Sequence, residues 1–414
     1  MALGTNAPSV MKSVGVIAKL AAGTLVDNLQ FCRTIDKADK SDYDGKNGYK
    51  AGDTIQINVP ALYTPGTNMD ITSAIQAINE TRVPLALDII QTVGVDVDSR
   101  ELAYQIGLES LYTRVIKPSV EGIAQGVENI CLDRAVKATY NIVGTAGATT
   151  FNTSTILSAG QKMSEFLSPR GDRYVLLNPG SEASAVDSRK GFVNDPNLVS
   201  KQYKKGSMGM ADGFEYMSNN LLPRLTSGTA TGAHTVTTTV TTQGQATLAI
   251  TGTGTQTITA GQTFTVAGVN AVHPQTKVDL GYLQQFVVTA LATAAGGSYT
   301  AVAISPAMYT TGSLQNITAF PQSSAVVTLG AGVGNTASTT YPQNLAYHRN
   351  AFRMVSVPLV MPEAVEMAAQ ESYEGVSVAV IRAFDVRTRA MITRIDFLGG
   401  FAATRPQWAC RITN

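Results

Sequence analysis

From Thr226 to Thr340 the chain carries only two charged residues, Lys277 and Asp279. Thr, Gly, Ala and Val dominate this stretch, and short alternating runs recur in it: Ala246–Thr251, Gln262–Val266, Gln285–Thr289, Tyr299–Ile304 and Ala325–Leu329. Gly-containing turns separate most of them. Period-two alternation with β-branched residues between turns is the pattern of strands that bury one face. A disordered linker of similar composition would have nothing to bury. Phe264, Phe286, Tyr299 and Tyr309 supply a core, so residues 223–340 are expected to form a small all-β barrel or sandwich.

On either side of this block the chain mixes helices and strands. Residues 1–35 alternate apolar stretches with Gly and Thr, as a partly helical arm would. A hydrophilic run of mixed sign, Asp36 to Asp53, precedes strand-like pieces at Thr54–Val59 and Leu85–Val97, so the region reads as a long hairpin with a polar tip. Ser99 is placed to cap a helix through Arg100–Leu111. A longer helix is expected from near Pro118 to about Val143, with Val120, Ile123, Val127, Ile130 and Ala138 at three-and-four spacing. At 1.5 Å per residue that is a spine of roughly 40 Å. A helix around Thr155–Phe166 leads into a strand at Tyr174–Asn178, and Lys201, Lys204 and Lys205 come after it on a polar face. Beyond the β block, strands are expected at Phe352–Pro358, Val376–Val386, Ala390–Phe397 and Gln407–Ile412. One α+β core, interrupted by an all-β insertion, accounts for this order.

Composition narrows the function. Charged residues make up 15% of the chain, against about 25% in an average soluble protein. Their balance of 31 basic to 30 acidic leaves no surplus for gripping phosphates. Low, balanced charge suits a surface that neighbouring subunits will cover. Cys32, Cys131 and Cys410 stand far apart with no CxxC pair, so neither a disulfide framework nor a zinc site is expected, and assembly belongs in a reducing cytoplasm. Residues 1–20 lack the sustained apolar run of a signal peptide. No stretch approaches the roughly 18–20 apolar residues of a membrane span.

Reactive constellations are missing too. The three histidines are His234, His273 and His348, and within the β block only Asp279 is available as a carboxylate partner. No GxSxG, HExxH, EF-hand or Walker A string occurs. Gly330-Ala331-Gly332-Val333-Gly334 lacks dinucleotide-loop spacing and no helix is expected after it. Glu109, Glu121 and Glu128 fall at helical spacing and are expected to face solvent or a neighbour. Asn316-Ile317-Thr318 matches a glycosylation acceptor only in form. Neither a catalytic residue, a cofactor nor a metal is expected.

Several ordered strings carry a resemblance. Met1-Ala2-Leu3, the run Leu222 to Gly232, Phe264 to Val269, Val355-Ser356-Val357-Pro358 and Ala403-Thr404-Arg405-Pro406 together resemble the coat proteins of short-tailed Salmonella-type phages. These form the branch of the Hong Kong 97-like capsid fold that carries an inserted β-barrel domain. The resemblance implies an N-terminal arm at 1–35, an extended hairpin loop with its connection at 36–97, and a peripheral domain with its spine helix at 98–144. It further implies an axial domain from 145–222 and 341–372, the insertion at 223–340, and peripheral-domain strands at 373–414. Such subunits form the hexamers and pentamers of an icosahedral shell. They assemble with a scaffolding protein, leave one vertex for a portal, and enclose double-stranded DNA without reading its sequence. The virion is then the expected location.

The same resemblance gives the polar hairpin a role. Lys37, Asp39, Lys40, Asp42, Asp44 and Lys46 become interface candidates that match charges on a neighbour. In the family a charged loop early in the insertion bridges subunits across two-fold axes. Here the corresponding stretch, His234 to Gln245, has no formal charge, which leaves Lys277 and Asp279 as the charged candidates in the insertion. Some relatives of the broader fold crosslink a hairpin Lys to a distant Asn. Lys37, Lys40, Lys46 and Lys50 are available, but exposed lysines are ordinary in such a loop, and no crosslink is expected. A phage adhesin or decoration protein with the β block as its binding head is the alternative reading.

Overall fold

A computed structural model describes residues 14–37, 52–60, 80–98, 112–145, 152–188, 209–330, 337–359, 367–387 and 390–413, with isolated positions at 63 and 75. The hairpin tip, the helix expected at 100–111, the lysines at 201–205 and most of the glycine run after Gly330 lie outside these residues. Two compact units emerge. One comprises Met1–Ile57, Arg82–Cys131 and Arg353–Ala402; the other comprises Asn58–Thr81, Leu132–Phe352 and Ala403–Asn414.

The first unit is built on a six-stranded sheet. Its main order is Asp36–Lys37, Phe352–Ser356, Ala390–Ala403, Val376–Asp385 and Met367–Tyr373, with Ile89–Asp98 also paired to the long strand Ala390–Ala403. The helix Val14–Asn28 packs across the last two strands of that order and buries Ile17, Ala18, Ala21, Leu25 and Val26. The strand expected over Leu85–Val97 is broken at Leu87-Asp88. Leu87 N–H donates to the Asp53 carbonyl, and its own carbonyl accepts from Gly52 N–H, both at 2.9 Å. Thr81–Ala86 therefore pairs with Thr54–Val59, and Ile89–Asp98 turns to the long strand. A notch at Gly400 admits this root, because a side chain there would collide with Leu85 and the Ala86 carbonyl.

The spine helix runs Lys117–Ala138, 22 residues and roughly 33 Å. It stops short of the expected Val143 because the next residues are claimed by a sheet. Ile142–Gly144 pairs in parallel with Arg411–Thr413, and the Asn141 carbonyl accepts from Arg411 N–H at 2.8 Å. The β-branched pair Ile142-Val143 fits this ladder better than a helix end. Gly144, at φ +95°, takes a backbone conformation that favours glycine.

A seven-stranded sheet organises the second unit, in the order Ile142–Gly144, Ala409–Thr413, Thr340–His348, Arg173–Leu177, Phe214–Ser218 and Met210–Ala211, with Arg224–Thr226 also on Thr340–His348. The helix Thr153–Glu165 covers one face, packing Ile156, Ala159 and Met163 on Val175, Leu177, Ala346, Cys410 and Ile412. The tail thus divides between sheets. Val376–Asp385 and Ala390–Ala403 stay in the first, whereas Ala409–Thr413 joins the second and does not complete the sheet of its predecessors. Between them Thr404 and Arg405 N–H both bond the Ala351 carbonyl, which turns the chain.

The β block leaves this sheet and returns to it through paired strands: Leu225 lies opposite Tyr341, and Thr226 opposite Thr340. Its six antiparallel strands take the order His234–Thr235, Val326–Leu329, Thr263–Val272, Asp279–Val288, Ser298–Met308 and Gln245–Thr251. A Val236–Ile250 bridge joins the two ends of that order, so the sheet closes into a barrel and its edges vanish. Phe264 and Phe286 stack at 5.5 Å among Val266, Tyr299, Val302 and Ile304. Tyr309 stands outside this core, with its ring beside Gly244.

Candidate functional site: interface positions and the seam under the barrel

Of the hairpin candidates only Lys37 is described; Asp39, Lys40, Asp42, Asp44 and Lys46 lie outside the described residues. Lys37 sits at the root, where Asp36-Lys37 pairs in parallel with Arg353-Met354. Its ammonium donates to the Glu374 carbonyl at 2.5 Å, and Asp36 meets Arg353 at 2.6 Å. Asp36 and Lys37 are therefore held by charged groups to the sheet they join.

Lys277 and Asp279 occupy one turn of the barrel but serve different ends. The Lys277 ammonium donates to the Ser313 and Gln315 carbonyls at 2.7 and 3.3 Å, and burial holds its pKa below the ordinary lysine value. Asp279 is exposed and accepts from Asn270 Nδ2 and Gly281 N–H, both at 2.8 Å; these bonds keep its carboxyl below the usual range. The uncharged stretch from His234 is stitched into the barrel wall: Val236, Thr237, Val240 and Gly244 each donate a backbone N–H to barrel carbonyls.

The histidines have backbone partners. His234 Nδ1 lies 2.8 Å from the Thr251 carbonyl, while His273 and His348 accept turn N–H groups from Thr276 and Asn350 at 3.1 Å. Glu128 overturns its sequence reading. It is 2% exposed, and its carboxylate accepts from Phe31 N–H at 2.5 Å and Cys32 N–H at 3.4 Å. Burial pushes its pKa up against the pull of those bonds.

Sequence reasoning missed the seam where the barrel meets its host sheet. Arg411 is fully buried and donates through Nη1 to the Gly261 carbonyl at 2.7 Å; burial lowers its pKa to about 10. Gln285 of the barrel accepts from Ile142 N–H and Lys162 Nζ at 2.9 and 2.7 Å, and returns an amide proton to the Ile142 carbonyl at 3.1 Å. Lys162 also donates to that carbonyl at 3.0 Å. Tyr282 O–H donates to Glu165 at 2.9 Å while Lys162 lies over its ring, 5.8 Å from the centroid. A buried arginine in Ala409–Thr413 was the available clue, since an arginine flanked by Cys410 and Ile412 in a strand needs an acceptor nearby.

Comparison with known proteins supplies the family. The profile described as P22 coat protein, gene protein 5, matches residues 7–411. The chain belongs to the P22 coat protein family. It is therefore a phage coat protein, a structural component of the virion and not an enzyme, and its α+β fold carries an inserted barrel. No curated protein matches the sequence. Among solved structures, this coat protein is similar to a capsid chain of Ralstonia phage GP4 (8% identity, 92% of this chain and 87% of that one, TM-score 0.49). It is also similar to a chain from Mycobacterium phage Che8 (14%, 93% and 90%, TM-score 0.43) and to the capsid of cyanophage P-SCSP1u (12%, 92% and 89%, TM-score 0.41).

Proposed function

We propose that this coat protein is the major capsid subunit, assembling into the hexamers and pentamers of an icosahedral head that encloses packaged double-stranded DNA. The family match over residues 7–411 carries the reading. Balanced charge agrees with it, since neighbouring subunits then cover little uncompensated charge. Assembly runs in the host cytoplasm on a scaffolding protein, with a portal at one vertex. DNA is held without sequence recognition, consistent with a net charge of +1. The arm, hairpin loop, peripheral and axial domains follow the family resemblance, except that Ile142–Gly144 and Ala409–Thr413 go to the sheet of Thr340–His348, and contacts between copies run through the hairpin candidates 37–46 and the Lys277–Asp279 turn. Shell stability comes from many modest contacts multiplied by closure. Co-expression with the scaffolding protein, followed by electron microscopy, is expected to show closed particles. A strictly monomeric product under every assembly condition overturns the proposal.

A further inference from the structure

Within the first unit the amino-terminal segment meets the spine helix at a buried cluster. Cys32 and Cys131 are both fully buried and carry free thiols. Glu128 and Cys131, three residues apart on the helix, share one face. The same Glu128 accepts from Phe31 and Cys32 N–H, which seats Cys32 on that face beside Cys131. Phe31 is held from the other side by Phe401, ring to ring at 6.2 Å. The third cysteine, Cys410, belongs to the other unit, inside the apolar layer under the helix Thr153–Glu165.

We propose that Cys32 and Cys131 form an oxidisable pair, a site at which a small disulfide oxidant converts two thiols into one internal disulfide and ties the amino-terminal segment to the spine helix. The exchange balances with oxidised glutathione as the co-reactant. One protein thiolate attacks a glutathione sulfur and releases a glutathione thiolate. The second protein thiolate then displaces the other glutathione from the mixed disulfide. Both cysteines are oxidised, and two glutathione thiolates leave and take up the two thiol protons. Contact with Cys131 and burial hold the Cys32 thiol well above its ordinary pKa, so it is inert while the segment is seated. Oxidation therefore waits for the segment to lift. In a reducing cytoplasm the pair stays open; in an oxidising medium each opening is a chance to close it permanently.

The inference does not depend on the capsid reading, because the test uses the unassembled full-length subunit. It is incubated with oxidised glutathione, blocked with a thiol alkylator and mapped by mass spectrometry without reduction. The expected result is a Cys32–Cys131 linked peptide with Cys410 alkylated, formed faster in mild urea and reversed by dithiothreitol. The Cys410→Ser variant is expected to give the same linked peptide, and Cys131→Ser a glutathione adduct at Cys32. Thiols at 32 and 131 that stay separate when unfolded protein is refolded in the oxidant overturn the proposal, as does a bond from either one to Cys410.

Discussion

Glu128 offers the sharpest test of how the amino-terminal segment is held. Replacing it by Ala leaves the Phe31 and Cys32 N–H groups without this acceptor in a site that is 2% exposed. A buried donor deprived of its partner costs about 1–3 kcal/mol. Phe31, at 2.5 Å, belongs near the top of that range and Cys32, at 3.4 Å, near the bottom, so the pair sums to about 3–4 kcal/mol. Native-state hydrogen exchange reads this residue by residue. At about 1.4 kcal/mol per decade, protection of the Phe31 amide is expected to fall by roughly 30- to 100-fold. Glu128→Gln keeps one acceptor oxygen and is expected to lose about tenfold or less. The pH dependence has a definite sign. Burial raises the carboxyl of Glu128 above 4.5, with Cys32 and Cys131 as the titratable groups beside it. The folded state therefore favours the protonated acid. That contribution is complete below 4.5 and is lost as pH rises through the folded value. Stability of this unit is expected to decline as pH rises above 4.5 in the wild type and to be flatter in Glu128→Gln. Unchanged Phe31 protection in Glu128→Ala would refute the reasoning, and so would a wild-type stability that rises with pH over that range.

Gly261→Ala puts a Cβ 3.0 Å from Lys137 Cγ and 3.1 Å from Leu225 Cδ1 at φ +89°; the conformation alone costs about 1–2 kcal/mol, and calorimetry should show the transition of its unit lowered by several degrees. Lys162→Met strips a charged donor from the Ile142 carbonyl and Gln285, about 2–3 kcal/mol, whereas Tyr282→Phe loses one neutral-donor bond to Glu165, about 1–2 kcal/mol; urea midpoints are expected to rank the two in that order. Denaturing gels of mature particles should show monomer mobility only, and a ladder of subunits would reveal a covalent crosslink. Deleting residues 226–340 is expected to leave an insoluble remainder, while the isolated segment 223–340 melts cooperatively in circular dichroism; a soluble, assembling remainder would contradict this.

The barrel was readable because its signal is local. Alternation over four to ten residues is set by one pleat and one buried face, and Thr263–Val272 and Ser298–Met308 show it whatever surrounds them. The spine helix was readable in its middle for the same reason, with Val120, Ile123 and Val127 buried. Its end was not. Whether Thr139–Val143 continues a helix depends on Arg411–Thr413, nearly three hundred residues later, offering a parallel ladder. Glu128 was misread because helical spacing says which residues share a face, not what covers that face. What covers it is Phe31-Cys32, from a segment whose pairing no local pattern announces. The tail obeyed the same rule: each strand was visible, and the switch of Ala409–Thr413 to the other sheet was not.

The missing charge of the insertion acquires a physical sense at the seam. Every formal charge there comes from the host: Lys162 and Glu165 from the helix, Arg411 from the last strand. The barrel answers only with neutral groups, the Gly261 carbonyl, the Gln285 amide and the Tyr282 hydroxyl. A neutral group loses far less on leaving water than an ion does. The barrel, closed on its own core, therefore has little to lose undocked. The host is in the opposite position. Without the barrel, Arg411 loses the carbonyl that takes its Nη1 proton, and Lys162 and Glu165 lose partners they were folded to meet. The dependence between the two is one-sided, and its direction is set by which side of the seam carries the charge. A charge-poor insertion is thus what lets an all-β module be spliced into an α+β sheet through two paired strands, Arg224–Thr226 and Thr340–His348, without making its own folding conditional on the host.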